Sequence, residues 1–195
     1  MMSLSGFGDG LPRWCVTALV SVYLLATRRY RWAVALIGAM VACALLGPVL
    51  KLAFHTPRPS PLYAGVDAFS FPSGHALSAA ALYTILGVLA AEGLAKPWGR
   101  LALALAAVLV VSISLSRVYL GAHWFSDVLA GVALGAALAI VAITLARAGK
   151  TGLGEADWRI SIAILVCIGV VSAGTGATTL AKAHRLYAPF LRTAR

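Results

Sequence analysis

The chain has 195 residues, of which 61% are hydrophobic and only 11% charged. A water-soluble domain carries about 45–50% apolar and about 25% charged residues, so this composition, with a mean hydropathy of +0.92, excludes a soluble globular protein and implies an integral membrane protein. The net charge of +10 fits loop flanks and anionic lipid headgroups, and with no basic cluster on a polar face outside the apolar runs it does not indicate a nucleic-acid partner.

Residues 1–10 are rich in glycine and lack the basic start of a secretory signal. The first apolar run, 11–27, is short for a membrane span. A basic turn with Arg28, Arg29, Tyr30 and Arg31 follows. The second run, 32–50, is long enough to cross, and Gly47-Pro48 predicts a kink near its end. From Lys51 the chain turns polar. Pro57, Pro59, Pro61 and Pro72 exclude a helix through this loop, which closes on Phe71-Pro72-Ser73-Gly74-His75. A third run covers 75–91, and a short loop with Lys96, Pro97 and Trp98 leads to a fourth at 101–115. A turn at 116–124 precedes the fifth run, 125–145. After a polar loop at 147–159 comes a sixth run, 160–180, whose second half is rich in Gly, Ser and Thr. The basic tail, 182–195, is mildly amphipathic and suits a membrane interface.

There is no repeat and no internal boundary. The expected architecture is all-α: a single polytopic membrane helix bundle over 1–195 with about six transmembrane helices. Its chemistry-bearing core spans 32–146, and 160–181 forms an additional C-terminal helix. Cys15, Cys43 and Cys167 lie inside apolar runs without metal or redox spacing and read as packing residues. Trp14, Tyr30, Trp32, Trp98 and Trp158 stand at run ends as interface anchors. Gly131 and Gly135 form a GxxxG helix-packing match.

Alternate loops carry Arg28, Arg29 and Arg31, then Lys96 and Arg100, then Arg147, Lys150 and Arg159. The positive-inside rule makes those loops cytoplasmic. The loop at 51–74 and the turn at 116–124 then share the opposite side. Their own basic residues, Lys51, Arg58 and Arg117, run against the charge bias and point to chemistry. Six crossings leave the basic tail outside, contrary to the rule, which sets the first and sixth runs in question as full spans.

Three cations gathered at one end of a compact bundle repel one another unless an anion lies between them. A phosphate fits: arginine grips it bidentately and lysine acts as a point charge. The helix start at Ser73-Gly74-His75 adds backbone N–H groups and the positive end of the helix dipole. His123 and Asp127 are four residues apart, one helical turn, so the carboxylate can fix the imidazole's tautomer. That makes His123 a nucleophile at phosphorus or a base. His75, with no nearby carboxylate in sequence, is free to be the general acid. Taken singly, an interfacial His or Arg is more often a headgroup contact, and Asp127 alone can cap a helix. His55, Asp67 and His184 receive no role; Asp67 reads as a loop carboxylate.

The joint spacing carries more weight. Lys51-x6-Arg58-Pro59, then Pro72-Ser73-Gly74-His75, then Ser116-Arg117-x5-His123-x3-Asp127 resemble the three signatures of the type 2 phosphatidic acid phosphatase superfamily. All three are complete and in order. The resemblance is to the membrane-embedded branch of a histidine phosphatase superfamily related to vanadium haloperoxidases. It implies a metal-independent phosphatase with no cofactor, acting on a lipid phosphate or diphosphate at the extracytoplasmic face of a bacterial inner membrane. It implies a phosphohistidine formed on His123, Asp127 orienting that ring, and His75 as the acid. Lys51, Arg58, Ser73, Gly74 and Arg117 would bind the phosphate, with no metal ligands. The headgroup stays open among isoprenyl diphosphate, phosphatidylglycerol phosphate, phosphatidic acid and lipid A types. The rival reading is a non-catalytic lipid-phosphate binder on the same fold. The chain departs from the family's bacterial membrane members at its ends. The first signature follows the second apolar run rather than the third, and another run follows the last signature, as in a module of a longer protein. A narrow cleft between the third and fifth helices would favour a single lipid tail entering from the membrane.

Overall fold

A computed structural model describes residues 10–59, 65–148 and 158–171. Six α-helices occur among these residues: α1 (Gly10–Ala26), α2 (Tyr30–Phe54), α3 (Gly74–Glu92), α4 (Lys96–Tyr119), α5 (Phe125–Arg147) and α6 (Trp158–Val171). A short 3-10 turn, Gly65–Ala68, lies between α2 and α3. Helices α2 to α5 are the four long and apolar enough to cross a membrane, whereas α1 and α6 are shorter. At about 1.5 Å per residue, a helix needs about 20 residues to span the hydrocarbon core, and α1 has 17.

Burial identifies the central element. In α3, 72% of the most apolar stretch is buried, against 28–33% in α2, α4 and α5. Helix α3 is accordingly apolar all round, built from small residues and leucines, and α2, α4 and α5 pack around it. The outer helices keep one face exposed, with Val34, Leu45, Val108 and Ile140 among many bare apolar side chains. In water such a surface would be an aggregation liability; in a bilayer it is the lipid contact.

Helices α3 and α5 meet backbone to backbone. A Cβ on Gly131 would lie 2.7 Å from the Ser73 carbonyl oxygen and 3.1 Å from Ala76 Cβ. One on Gly135 would collide with the Leu77 carbonyl and stand 2.8 Å from Ala80 Cβ. The GxxxG match is therefore a packing seam, facing a second pair of small residues spaced by four, Ala76 and Ala80. At Gly131 and Gly135 the seam leaves no cleft for a lipid tail between α3 and α5.

Several boundaries differ from the sequence reading. Helix α2 continues as one element past Pro48 to Phe54, so Lys51 projects from its last turn rather than from a loop. Helix α4 begins five residues earlier than hydropathy indicates, with a proline in its first turn, where the missing N–H costs nothing. It extends to Tyr119, so Ser116 and Arg117 belong to its last turn rather than to a connecting turn. Gly121, at φ +63°, then reverses the chain in a left-handed conformation suited to glycine. The second half of the sixth run and the basic tail lie outside the described residues.

The end of the bundle remote from residues 51–75 is tied by basic side chains. Arg31 donates to the α5 carbonyls of Leu145 and Ala146 at 2.7 and 3.2 Å, satisfying acceptors that a helix C-terminus leaves open. Arg147 grips Glu92 at the end of α3. Ser161 of α6 donates to the Ala90 carbonyl, and Ile160 and Ile164 are buried there.

Because no side chain can shift away from a backbone carbonyl, Gly135→Val should force α3 and α5 apart. Overpacking of this kind costs about 3 kcal/mol or more when backbone must move. Thermal unfolding in detergent should show a clear drop for Gly135→Val, and little change for Gly38→Ala, where a Cβ meets nothing within 4 Å.

Candidate active site

The topology brings the end of α2, the start of α3, the end of α4 and the start of α5 to one end of the bundle. Ser73 caps α3, its hydroxyl accepting from Ala76 N–H at 3.5 Å. The Ser73 N–H donates to the Asp127 carbonyl at 3.0 Å, joining the two helix starts directly. Ser73 is wholly buried, and a Cβ on neighbouring Gly74 would meet no atom within 4 Å, so this helix start faces open space.

His123 and Asp127 come together as the spacing predicts. His123 Nδ1 lies 3.6 Å from Asp127 Oδ2, and the two residues are only 3% and 1% exposed. The same carboxylate oxygen accepts from the Trp124 N–H at 2.9 Å, so Asp127 caps α5 and faces the imidazole at once. On the other side of the ring, Arg58 Nη1 is 3.2 Å from His123 Nε2. A guanidinium has only donors, so Nε2 must be the accepting nitrogen, and the ring proton resides on Nδ1, toward Asp127. Arg58 is held in turn by donating to the Ala122 carbonyl at 2.7 Å and, through Nε, to the Asp67 carbonyl at 2.5 Å.

The loop carrying Arg58 is fixed by its own contacts. Thr56 and Pro57 lie alongside Phe69 and Ser70, with Ser70 N–H donating to the Thr56 carbonyl at 2.8 Å. Trp124 Nε1 donates to the Pro57 carbonyl at 2.9 Å, latching this loop to the start of α5. Lys51 and Arg117 are both buried. His75, half-buried in the first turn of α3, and the three cations are close enough for their charges to act on His123.

Those charges matter for protonation. Burial first, then Arg58, Arg117, His75 and Lys51, push the His123 pKa from its ordinary 6.5 down to about 3. All eight residues singled out by spacing (Lys51, Arg58, Ser73, Gly74, His75, Arg117, His123, Asp127) are thus at one end of the bundle. Spacing missed Asp67. Its carboxylate binds Lys51 Nζ at 2.7 Å, and this ion pair, with Arg58 and His75 nearby, holds its pKa below the usual carboxylate range. Only the folded loop brings it to Lys51. Among the described residues, no three His, Cys, Asp or Glu side chains gather as a metal-ligand set.

Four helices able to cross a membrane, with three cations gathered about a buried His–Asp pair at one end, suit the binding of a phosphate carried by a lipid. The profile of the PAP2 superfamily matches residues 32–150. The chain belongs to the PAP2 superfamily and is a membrane lipid phosphatase. It is 38% identical over 142 residues to decaprenylphosphoryl-5-phosphoribose phosphatase of Mycobacterium tuberculosis, covering 71% of this chain and 74% of the relative. Against the lipid A 1-phosphatase of Rhizobium etli it is 33% identical over 172 residues, covering 75% and 70%. Its fold superposes on the crystal structure of a transmembrane PAP2-type phosphatidylglycerolphosphate phosphatase from Bacillus subtilis with a TM-score of 0.65, at 26% identity over 76% of each chain.

A pKa of about 3 keeps the His123 ring neutral across the range of about pH 5–8 in which a free histidine titrates. Nitrogen-15 spectra of histidine-labelled protein should show one ring as the Nδ1–H tautomer, unchanged over that range and lost in His123→Gln. A His123 midpoint near 6.5 would contradict the geometry. The linkage sign follows. The folded value lies below the unfolded one, so the stabilisation is complete above about pH 6.5 and declines as pH falls toward 3.

Proposed function

We propose that the chain dephosphorylates a lipid phosphate or diphosphate by covalent catalysis on His123. The observation that carries this reading is the neutral Nε2 of His123, presented among Lys51, Arg58 and Arg117 with Asp127 behind the ring. The phosphate enters among the three cations and the N–H groups of the first turn of α3, at Gly74 and His75. Nε2 attacks phosphorus, and the bond from phosphorus to the leaving oxygen breaks. The departing oxygen takes a proton from His75. Asp127 stabilises the ring as it becomes cationic. Water then attacks phosphorus, giving its proton to His75; the P–N bond breaks and inorganic phosphate leaves. The cations stabilise charge on the equatorial oxygens throughout, the electrostatic part of phosphoryl transfer, and no metal is needed for that role.

We also infer that the site faces outward from a bacterial cytoplasmic membrane. The end of the bundle opposite the site carries Arg28, Arg29, Arg31, Lys96, Arg100, Arg147 and Arg159, which supports a cytoplasmic assignment for that end. The names of the relatives favour a lipid with a phosphorylated headgroup as substrate.

Purified protein in detergent should release phosphate from at least one lipid phosphate with excess EDTA present. His123→Ala and His75→Ala should each lose more than about a thousandfold in kcat/KM. With a phosphorus-32-labelled substrate, rapid quenching at alkaline pH should trap label on the wild type and on His75→Ala but not on His123→Ala. Normal turnover by His123→Ala, or activity abolished by EDTA, would refute the mechanism.

A further inference from the structure

Spacing also left unassigned a fourth cation at this end of the bundle. Arg13 lies in the first turn of α1, and its Nη1 donates to Ser78 Oγ at 2.6 Å. Ser78 in turn donates to the Gly74 carbonyl at 2.7 Å. The arginine is thereby aimed across α3, one turn beneath the phosphate-facing helix start. It lines a cavity of about 210 Å³ between α1, α2, α3 and the 3-10 turn, whose walls include Lys51 with its partner Asp67, Gly74, Ser78, Gly47 and Cys43. Lys51 is thus shared by this cavity and the candidate active site.

The cavity has a direction. Cys43 precedes Lys51 by eight residues on α2, about 12 Å along the helix axis. The space therefore runs from the phosphate-binding lysine toward the bilayer interior. A lipid that places its terminal phosphate among Lys51, Arg58 and Arg117 must send its tail inward, and this cavity offers a path that the α3–α5 seam does not. The part of the headgroup joining phosphate to tail would then pass Arg13. Its walls at Gly47, Gly74 and Ser78 are small, leaving room for a headgroup rather than filling the space with apolar side chains. Arg13 lies outside the residues 32–150 that match the family profile.

We propose that Arg13 is a specificity residue for a second anionic group within the substrate headgroup, an internal phosphodiester between the scissile phosphate and the lipid tail. This rests on the lipid phosphatase reading above. It selects within that reading lipids carrying two phosphates over those carrying one. Ser78 is the positioning residue that holds the guanidinium in the cavity.

The test compares two micellar substrates with the same acyl chains, dioleoyl phosphatidylglycerol phosphate and dioleoyl phosphatidic acid, on the full chain. Wild type should prefer the two-phosphate lipid in kcat/KM by about tenfold or more, the scale of one charge-assisted hydrogen bond. Arg13→Gln should erase most of that preference through KM, leaving phosphatidic acid turnover within about twofold, and Arg13→Lys should restore part of it. Equal loss on both lipids, or an unchanged preference in Arg13→Gln, overturns the proposal. If Arg13→Gln does not fold, the wild-type ratio decides alone, and equal efficiency on the two lipids overturns it. Absence of hydrolysis of both lipids by wild type overturns the proposal, whereas phosphate release from another lipid phosphate in the same assay leaves the phosphatase reading of the site standing.

Discussion

The site depends on how closely the backbones of α3 and α5 approach. Gly131 and Gly135 leave no room for a side chain, so the two helix starts can be joined by the hydrogen bond from Ser73 to the Asp127 carbonyl. That single bond fixes two things together: the helix N-terminus proposed to face the phosphate, and the helix that carries the carboxylate behind His123. Without a hydrophobic driving force between helices in lipid, such close contact is what van der Waals packing in a membrane can use. The seam is thus structural in its residues and functional in its consequence.

Around that frame the electrostatics balance internally. Lys51, Arg58 and Arg117 are drawn to one end of the bundle, where they repel one another, and the fold supplies acceptors in place of a substrate. Asp67 meets Lys51, the Ala122 and Asp67 carbonyls meet Arg58, and the lone pair of His123 Nε2 meets the Arg58 guanidinium. The imidazole is the neutral member of the group because every neighbour except Asp127 disfavours its protonation. Neutrality leaves it a lone pair, the one property a nucleophile at phosphorus requires.

Much of the site was legible from sequence because its residues come in short, rigidly spaced groups. Ser73 to His75 start a helix, and His123 and Asp127 are one turn apart, so spacing alone predicts their geometry. The boundaries of α2 and α4 were harder to read. Lys51 and Arg117 are charged, and hydropathy ends a run at a charge even where the helix continues for another turn to deliver that charge to the site. Asp67 and Arg13 were not legible as site neighbours. Asp67 reaches Lys51 only through the fold of a proline-rich loop, and Arg13 reaches Ser78 only once α1 has packed beside α3. The glycine pair shows the intermediate case: its spacing was visible, its partner was not.

The geometry around His123 also constrains how a phosphate can bind. Nε2 of His123 is covered by Arg58, and Lys51 is engaged by Asp67, so an incoming phosphate must take over both contacts before attack is possible. The exchange is nearly balanced for Lys51, since one anion replaces another. For Arg58 it is favourable, because a charged phosphate oxygen replaces a neutral ring nitrogen as acceptor, and charge-assisted hydrogen bonds are about twice as strong as neutral ones. In the mechanism proposed above, binding would uncover His123 Nε2 and move the guanidinium onto the group being attacked. The carbonyl of Ala122, next to His123 in the chain, keeps Arg58 tethered during that shift, so the cation is already in place when charge develops on the transferring phosphoryl group.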